Sequence, residues 1–155
     1  MSMKITGVTI IRNAIINDYP VVEAINSILP MVDEMIVSID KGEDETEQLI
    51  KGIISHKIRM VYSKWDMNLR EGGKVYAVET DKAIAQVSAD TDWIFYIQAD
   101  EVIHEKYYAE IIEAAKSYIA VGSTVIDLGA NFGSMTIPFS NFVGESGKVY
   151  SIEAQ

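Results

Sequence analysis

The sequence predicts an α/β fold, an open and mainly parallel sheet with helices on both sides. Three observations predict it. Short runs rich in Val, Ile and Tyr alternate with longer stretches of helical period. The strand runs show little polar alternation, the pattern of strands covered on both faces. The chemistry-bearing motifs fall just past the ends of such runs, where open α/β sheets bind ligands.

The elements follow in order. Strands are expected at Lys4–Ile11, Met35–Ile39, Ile58–Val61, Trp93–Ile97, Thr124–Asp127 and Lys148–Ile152. Helices are expected at Val21–Ile28, Asp44–Ser55, Gly73–Val87, Glu105–Ile119 and Ser134–Val143. In the helix from Asp44, Leu49, Ile50, Ile53 and Ile54 form one apolar stripe. Strand–helix–strand repetition calls for parallel pairing through crossovers. The expected seam lies near Ser117–Gly122, dividing residues 1–118 from residues 119–155.

Composition narrows the function. The 155 residues are 48% hydrophobic and 23% charged, a globular balance with enough apolar mass for a core. Net charge is −10, and no basic stripe is visible, so nucleic-acid binding is not expected. In so acidic a chain a phosphate-bearing ligand would depend on a bridging cation or on backbone N–H groups. The absence of cysteine excludes disulfides and thiolate chemistry and fits a cytoplasmic protein. No apolar run approaches the roughly 18 residues that span a bilayer, and MSMKITGVTII does not read as a signal peptide.

Two constellations carry chemistry. In the first, Asp40 ends the second strand and opens Asp40-Lys41-Gly42-Glu43-Asp44-Glu45-Thr46. A strand-end carboxylate can accept bonds from a nucleobase or from ribose hydroxyls. The same segment also reads as a turn and helix start, with Gly42 turning the chain and acid in the first turn. Asp100 and Glu101 follow the strand from Trp93, where a carboxylate could hold the cation that offsets a diphosphate. They read equally as a solvated helix N-terminus. His104 nearby reads as a ligand or, alternatively, as a capping residue.

The ordered set VTIIRN, MIVSIDKGEDET, NLREGGKVYAVETDKA and DWIFYIQADE resembles the family 2 glycosyltransferases of GT-A fold, over about residues 4–112. The resemblance implies a Rossmann-like sheet, a nucleotide-diphospho-sugar donor, a hydroxyl acceptor, and Mg²⁺ or Mn²⁺. It implies that Asp40 contacts the base and that Arg12 and Asn13 lie near the nucleotide. Arg70 would face the donor, and Asp100 would bind both donor and metal. The usual Asp-x-Asp is here Gln98-Ala99-Asp100, so one charge is missing, and Asp81 stands where many members have Asn. The catalytic base, which lies downstream in that family, has no assignable counterpart.

In the second constellation, Val125-Ile126-Asp127-Leu128-Gly129-Ala130-Asn131-Phe132-Gly133 reads as strand, glycine turn and helix start. Glu153 ends the next strand, where an acid can hold ribose hydroxyls. This segment resembles the first βαβ unit of S-adenosylmethionine-dependent methyltransferases of FkbM type. The resemblance implies that Asp127, Gly129, Asn131 and Gly133 line the cofactor and that Glu153 binds its ribose. The proline that usually follows that acid is replaced by Ala154, and the pattern covers only the first βαβ.

The expectation is thus a glycosyltransferase-like region, its acceptor half missing, joined to a truncated methyltransferase-like βαβ. The leading function is sugar transfer to a hydroxyl, with activity of this chain alone in question. The alternatives are an S-adenosylmethionine-dependent methyltransferase module and a non-catalytic fragment of a two-domain protein.

Overall fold

The computed structural model describes residues 4–69, 71–111, 113, 121–128, 140 and 143–152, with backbone alone at 125–128 and 151–152. Strands are β1 (Ile5–Ile11), β2 (Glu34–Asp40), β3 (Ile58–Ser63), β4 (Trp93–Tyr96), β5 (Thr124–Leu128) and β6 (Lys148–Ile152). Helices are α1 (Val21–Ile28), α2 (Thr46–Lys51) and α3 (Lys74–Ile84). The first four strands form one wholly parallel sheet in the order β3-β2-β1-β4. The fold is α/β, with an open sheet of Rossmann-like kind. β5 and β6 form a second, two-stranded parallel sheet, so the six expected strands make two sheets.

Burial follows strand position. Every residue of β1 is buried, and so is all of β2 after Glu34. The edge strands β3 and β4 are half-buried along nearly their whole length. This explains the unalternating apolar runs, because the two central strands pack side chains on both faces. On one face Ile11, Met35, Val37 and Ile39 meet Val21, Ile25 and Ile28 of α1 and Ile50 of α2. On the other, Val8, Ile10 and Ile36 meet Val75 and Ala83 of α3, with Trp65. Each fully buried aliphatic side chain contributes roughly 1.5–3 kcal/mol by leaving water. The fold's stability is therefore concentrated on β1 and β2.

α1 has the expected bounds. Pro30 cannot continue it, and Lys57 Nζ donates to the carbonyls of Leu29 and Val32 at 2.8 Å each just past its end. α1 also lies close over β1. A Cβ at Gly7 would stand 2.6 Å from Met35 Sδ and 3.0 Å from Ile28 Cδ1, so a side chain here would push helix and strand apart.

α2 departs from the expectation. It spans six residues rather than Asp44–Ser55, and its apolar stripe is broken. Ile50 is buried and Ile53 partly so, but Leu49 is exposed and Ile54 fully exposed. The helix ends at Gly52, a poor helix former, so Ile54 is not carried onto the buried face. α3 is shorter than expected at both ends. A 3₁₀ turn, Glu105–Tyr107, begins the next helical stretch, and helical residues follow at 108–111 and 113. The expected helix 134–143 lies almost wholly outside the described residues. Among the described residues no helix is long and apolar enough to cross a membrane.

Candidate functional site

The strand order creates the site. The chain runs outward from β1 to β2 to β3, then returns to place β4 on the other side of β1. The connections after β1 and β4 both pass to the α1 face, where Ile103 and Tyr108 bond to Ser27. Arg12 and Asn13 leave β1 at the carboxyl edge of the sheet, where open α/β sheets bind ligands, Gln98 to Asp100 follow β4, and Asp40 closes β2 next door.

Asp40 is only 5% exposed, and its carboxylate forms an ion pair with the guanidinium of Arg12. The Trp65 backbone N–H approaches its other oxygen at 3.5 Å. Arg12 also reaches Glu43 Oε1 at 3.5 Å. The acid expected to select a base thus has its carboxylate turned onto Arg12.

The loop after β1 is held by side chains from the loop after β2. Asn13 has a left-handed backbone (φ 51°), and its Oδ1 accepts the Glu43 N–H at 2.8 Å. Gly42 lies against it with φ +57°, and a Cβ there would meet Asn13 Oδ1 at 2.3 Å, so glycine is required on both counts. Buried Thr46 receives the Ala14 N–H on Oγ1 at 2.8 Å and donates its hydroxyl to Asp44 Oδ1 at 2.5 Å. Asp44 Oδ2 accepts the N–H groups of Ile15 and Ile16 at 3.0 Å each. Burial pushes the Asp44 carboxyl upward. The hydrogen bonds from Thr46, Ile16 and Ile15 outweigh that push and hold it below the usual aspartate range.

The end of β4 is built differently. Gln98 and Asp100 are exposed on either side of buried Ala99. Glu101 closes the turn, its Oε2 accepting the Gln98 N–H at 2.9 Å. His104 Nδ1 accepts the Lys106 N–H at 3.2 Å, the capping role rather than a ligand role. Two residues that sequence reasoning missed secure this segment to α1. Ser27 Oγ accepts the Ile103 N–H at 3.0 Å, and Tyr108 donates its hydroxyl to the Ser27 carbonyl at 2.5 Å. Tyr96 was also missed. Its hydroxyl accepts from Thr80 Oγ1 at 3.4 Å, and burial, with the charges of Glu101 and Asp100, pushes its phenol pKa upward against that bond.

Among the described residues no group of three or more His, Cys, Asp or Glu could hold a metal ion. Asp100 offers one exposed carboxylate, and Mg²⁺ is typically held by one or two carboxylates together with substrate phosphates.

Of the other expected residues, Arg70 lies outside the described residues, between two 3₁₀ turns. Asp127 sits in β5 opposite Ser151 of β6, described by backbone only. Gly129, Asn131, Gly133 and Glu153 lie outside the described residues.

No protein-family model matches the chain, and neither does any curated protein. Among solved structures, the crystal structure of Rv0371c from Mycobacterium tuberculosis H37Rv is similar. It has a TM-score of 0.53 and 14% identity, covering 100% of this chain and 91% of that one. At that identity the likeness shows the fold alone, a match to the α/β architecture described above.

Proposed function

We propose that this chain binds a nucleotide-diphospho-sugar in the manner of a family 2 glycosyltransferase, for transfer of the sugar to a hydroxyl acceptor. The observation that carries the reading is that Arg12, Asn13, Asp40 and Asp100 all follow the carboxyl ends of neighbouring parallel strands, with Arg12 paired to Asp40. In this reading Asp40 acts largely through Arg12, fixing the guanidinium where a nucleotide's polar groups approach. Asn13 and the Asp44–Thr46 pair hold the loop that carries it. Asp100 supplies one ligand to a divalent cation delivered with the diphosphate. Such a cation, when bound, stabilises charge on the leaving diphosphate. The chain offers no assigned base for the acceptor hydroxyl, so donor binding is the tested step.

Calorimetry with a UDP-sugar and Mn²⁺ tests it. Heat that saturates and is lost in Asp100→Ala is the expected result. Saturation untouched by Asp100→Ala, or none at all, refutes the assignment.

A second reading has its own observation, the parallel pairing of β5 with β6 expected of a cofactor-binding βαβ. It makes this segment an S-adenosylmethionine module. Heat with S-adenosylmethionine that disappears in Gly129→Val supports it. Silence with both ligands returns the chain to a non-catalytic fragment.

A further inference from the structure

The face of β3 that looks toward α3 is incompletely covered. α3 packs chiefly on β1 and β2 through Val75 and Ala83, and β3 is left half-buried at the edge of the sheet. Between β3 and α3 runs a groove of about 530 Å³, lined by Ser38, Val61, Ser63, Lys64, Lys82 and Gln86 among others. It opens on the α3 face of β3. Its Ser63 end lies beside Asp40 at the carboxyl ends of the strands, and it runs back along β3 toward Gln86, whose carbonyl accepts from Arg59 Nη2 at 2.7 Å.

Its chemistry is one-sided. Two ammonium groups, two serine hydroxyls and an amide line it, and none of its described lining residues is acidic, in a chain of net charge −10. Ser63 Oγ is buried and has no hydrogen-bond partner among the described residues, a donor left unused. Lys82 is anchored at 2.7 Å on Glu79, which is fully buried in α3 with its second oxygen unpaired. Glu79 thus holds the Lys82 ammonium at the groove from beneath, and its carboxylate offsets part of that charge.

We propose that this groove is a second ligand site that takes an oxyanion, the phosphate or carboxylate group of a small molecule, held by Lys64, Lys82 and the Ser63 hydroxyl. The proposal shares no side chain with the nucleotide-sugar reading, although Ser63 stands beside Asp40 in the sheet.

Titration of inorganic phosphate into the isotope-labelled full chain at constant ionic strength tests it, followed at the backbone amides of Ser63, Lys64 and Lys82. Saturable shifts are expected at these three. Lys64→Ala should weaken the phosphate about tenfold or more, the loss expected from one charge-assisted bond. Glu79→Gln should tighten it, because Lys82 then carries an unopposed charge. Lys82→Ala leaves Glu79 buried without its cation and risks unfolding, so Lys64→Ala and Ser63→Ala carry the test. A parallel titration with acetate identifies the ligand group: saturation by either anion supports the site. Absent shifts, shifts linear in concentration, or affinity unchanged by Lys64→Ala and Ser63→Ala together overturn it.

Discussion

The loops after β1 and β2 and the turn after β4 leave the same edge of one sheet, yet they are held by opposite means. At β1 and β2 the polar groups face one another: Arg12 meets buried Asp40, Asn13 meets the Glu43 amide, and Thr46 and Asp44 take three successive N–H groups from Ala14 to Ile16. At β4, Asp100 stands exposed, while Glu101 is turned back onto the chain and Ser27 anchors the segment beyond it. A polar group buried beside its partner is expensive to disturb, whereas an exposed carboxylate exchanges water for a ligand at little structural cost. The first region is thus built to hold a shape, and the second is free to engage a ligand. The two ought to separate cleanly when stability and binding are measured side by side.

The largest effect is expected at Asp40. Asp40→Ala removes the buried partner of the Arg12 guanidinium, leaving it with Glu43 alone, and should cost about 2–3 kcal/mol. Urea denaturation should show it as a lower midpoint with unchanged slope. Gly42→Ala comes next, because it forces a side chain into a left-handed backbone and against Asn13 Oδ1. A loss of about 2 kcal/mol is expected in the same assay. If this variant were neutral, the packing of the two loops against each other would have to be abandoned.

Thr46→Val removes one hydroxyl that both accepts from Ala14 and donates to Asp44. It should cost about 1–2 kcal/mol and speed amide exchange at Ala14. Asp44 adds a pH dependence. Its native pKa is lowered, so its stabilisation is fully present above the ordinary aspartate value of about 3.9 and is lost as the pH falls through the lower native value. Stability measured across that acid range should fall less steeply in Asp44→Asn than in the parent chain. The smallest effect is expected from Asp100→Ala, within about 0.5 kcal/mol of the parent. A larger loss would erase the contrast between the two regions.

Much of this was legible before any tertiary contact was known. Val and Ile runs without alternation marked the strands as covered on both faces, which holds fully for β1 and β2, and helical period gave α1 its bounds, because both signals act locally. The positions of Arg12, Asn13, Asp40 and Asp100 at strand ends followed from the same pattern. The pairing of Arg12 with Asp40 did not, since nothing in their spacing says that two neighbouring strands will bring them together. The short α2 was misread for a related reason. Leu49, Ile50, Ile53 and Ile54 are spaced as a stripe, but a break at Gly52 and the limited surface of the sheet leave only Ile50 and part of Ile53 something to cover.

By itself, then, the sequence determined the α/β class, the bounds of α1 and the strand-end location of the candidate residues. These depend on periodicity and on backbone chemistry, which are properties of neighbours along the chain. Tertiary structure alone decided the strand order β3-β2-β1-β4, the separation of β5 and β6 into their own sheet, the burial of Asp40 and Glu79, and the groove beside β3. Each of those depends on which distant segments share a surface. In a parallel sheet the segments that meet are joined by long crossovers, so their pairing is invisible to any local pattern.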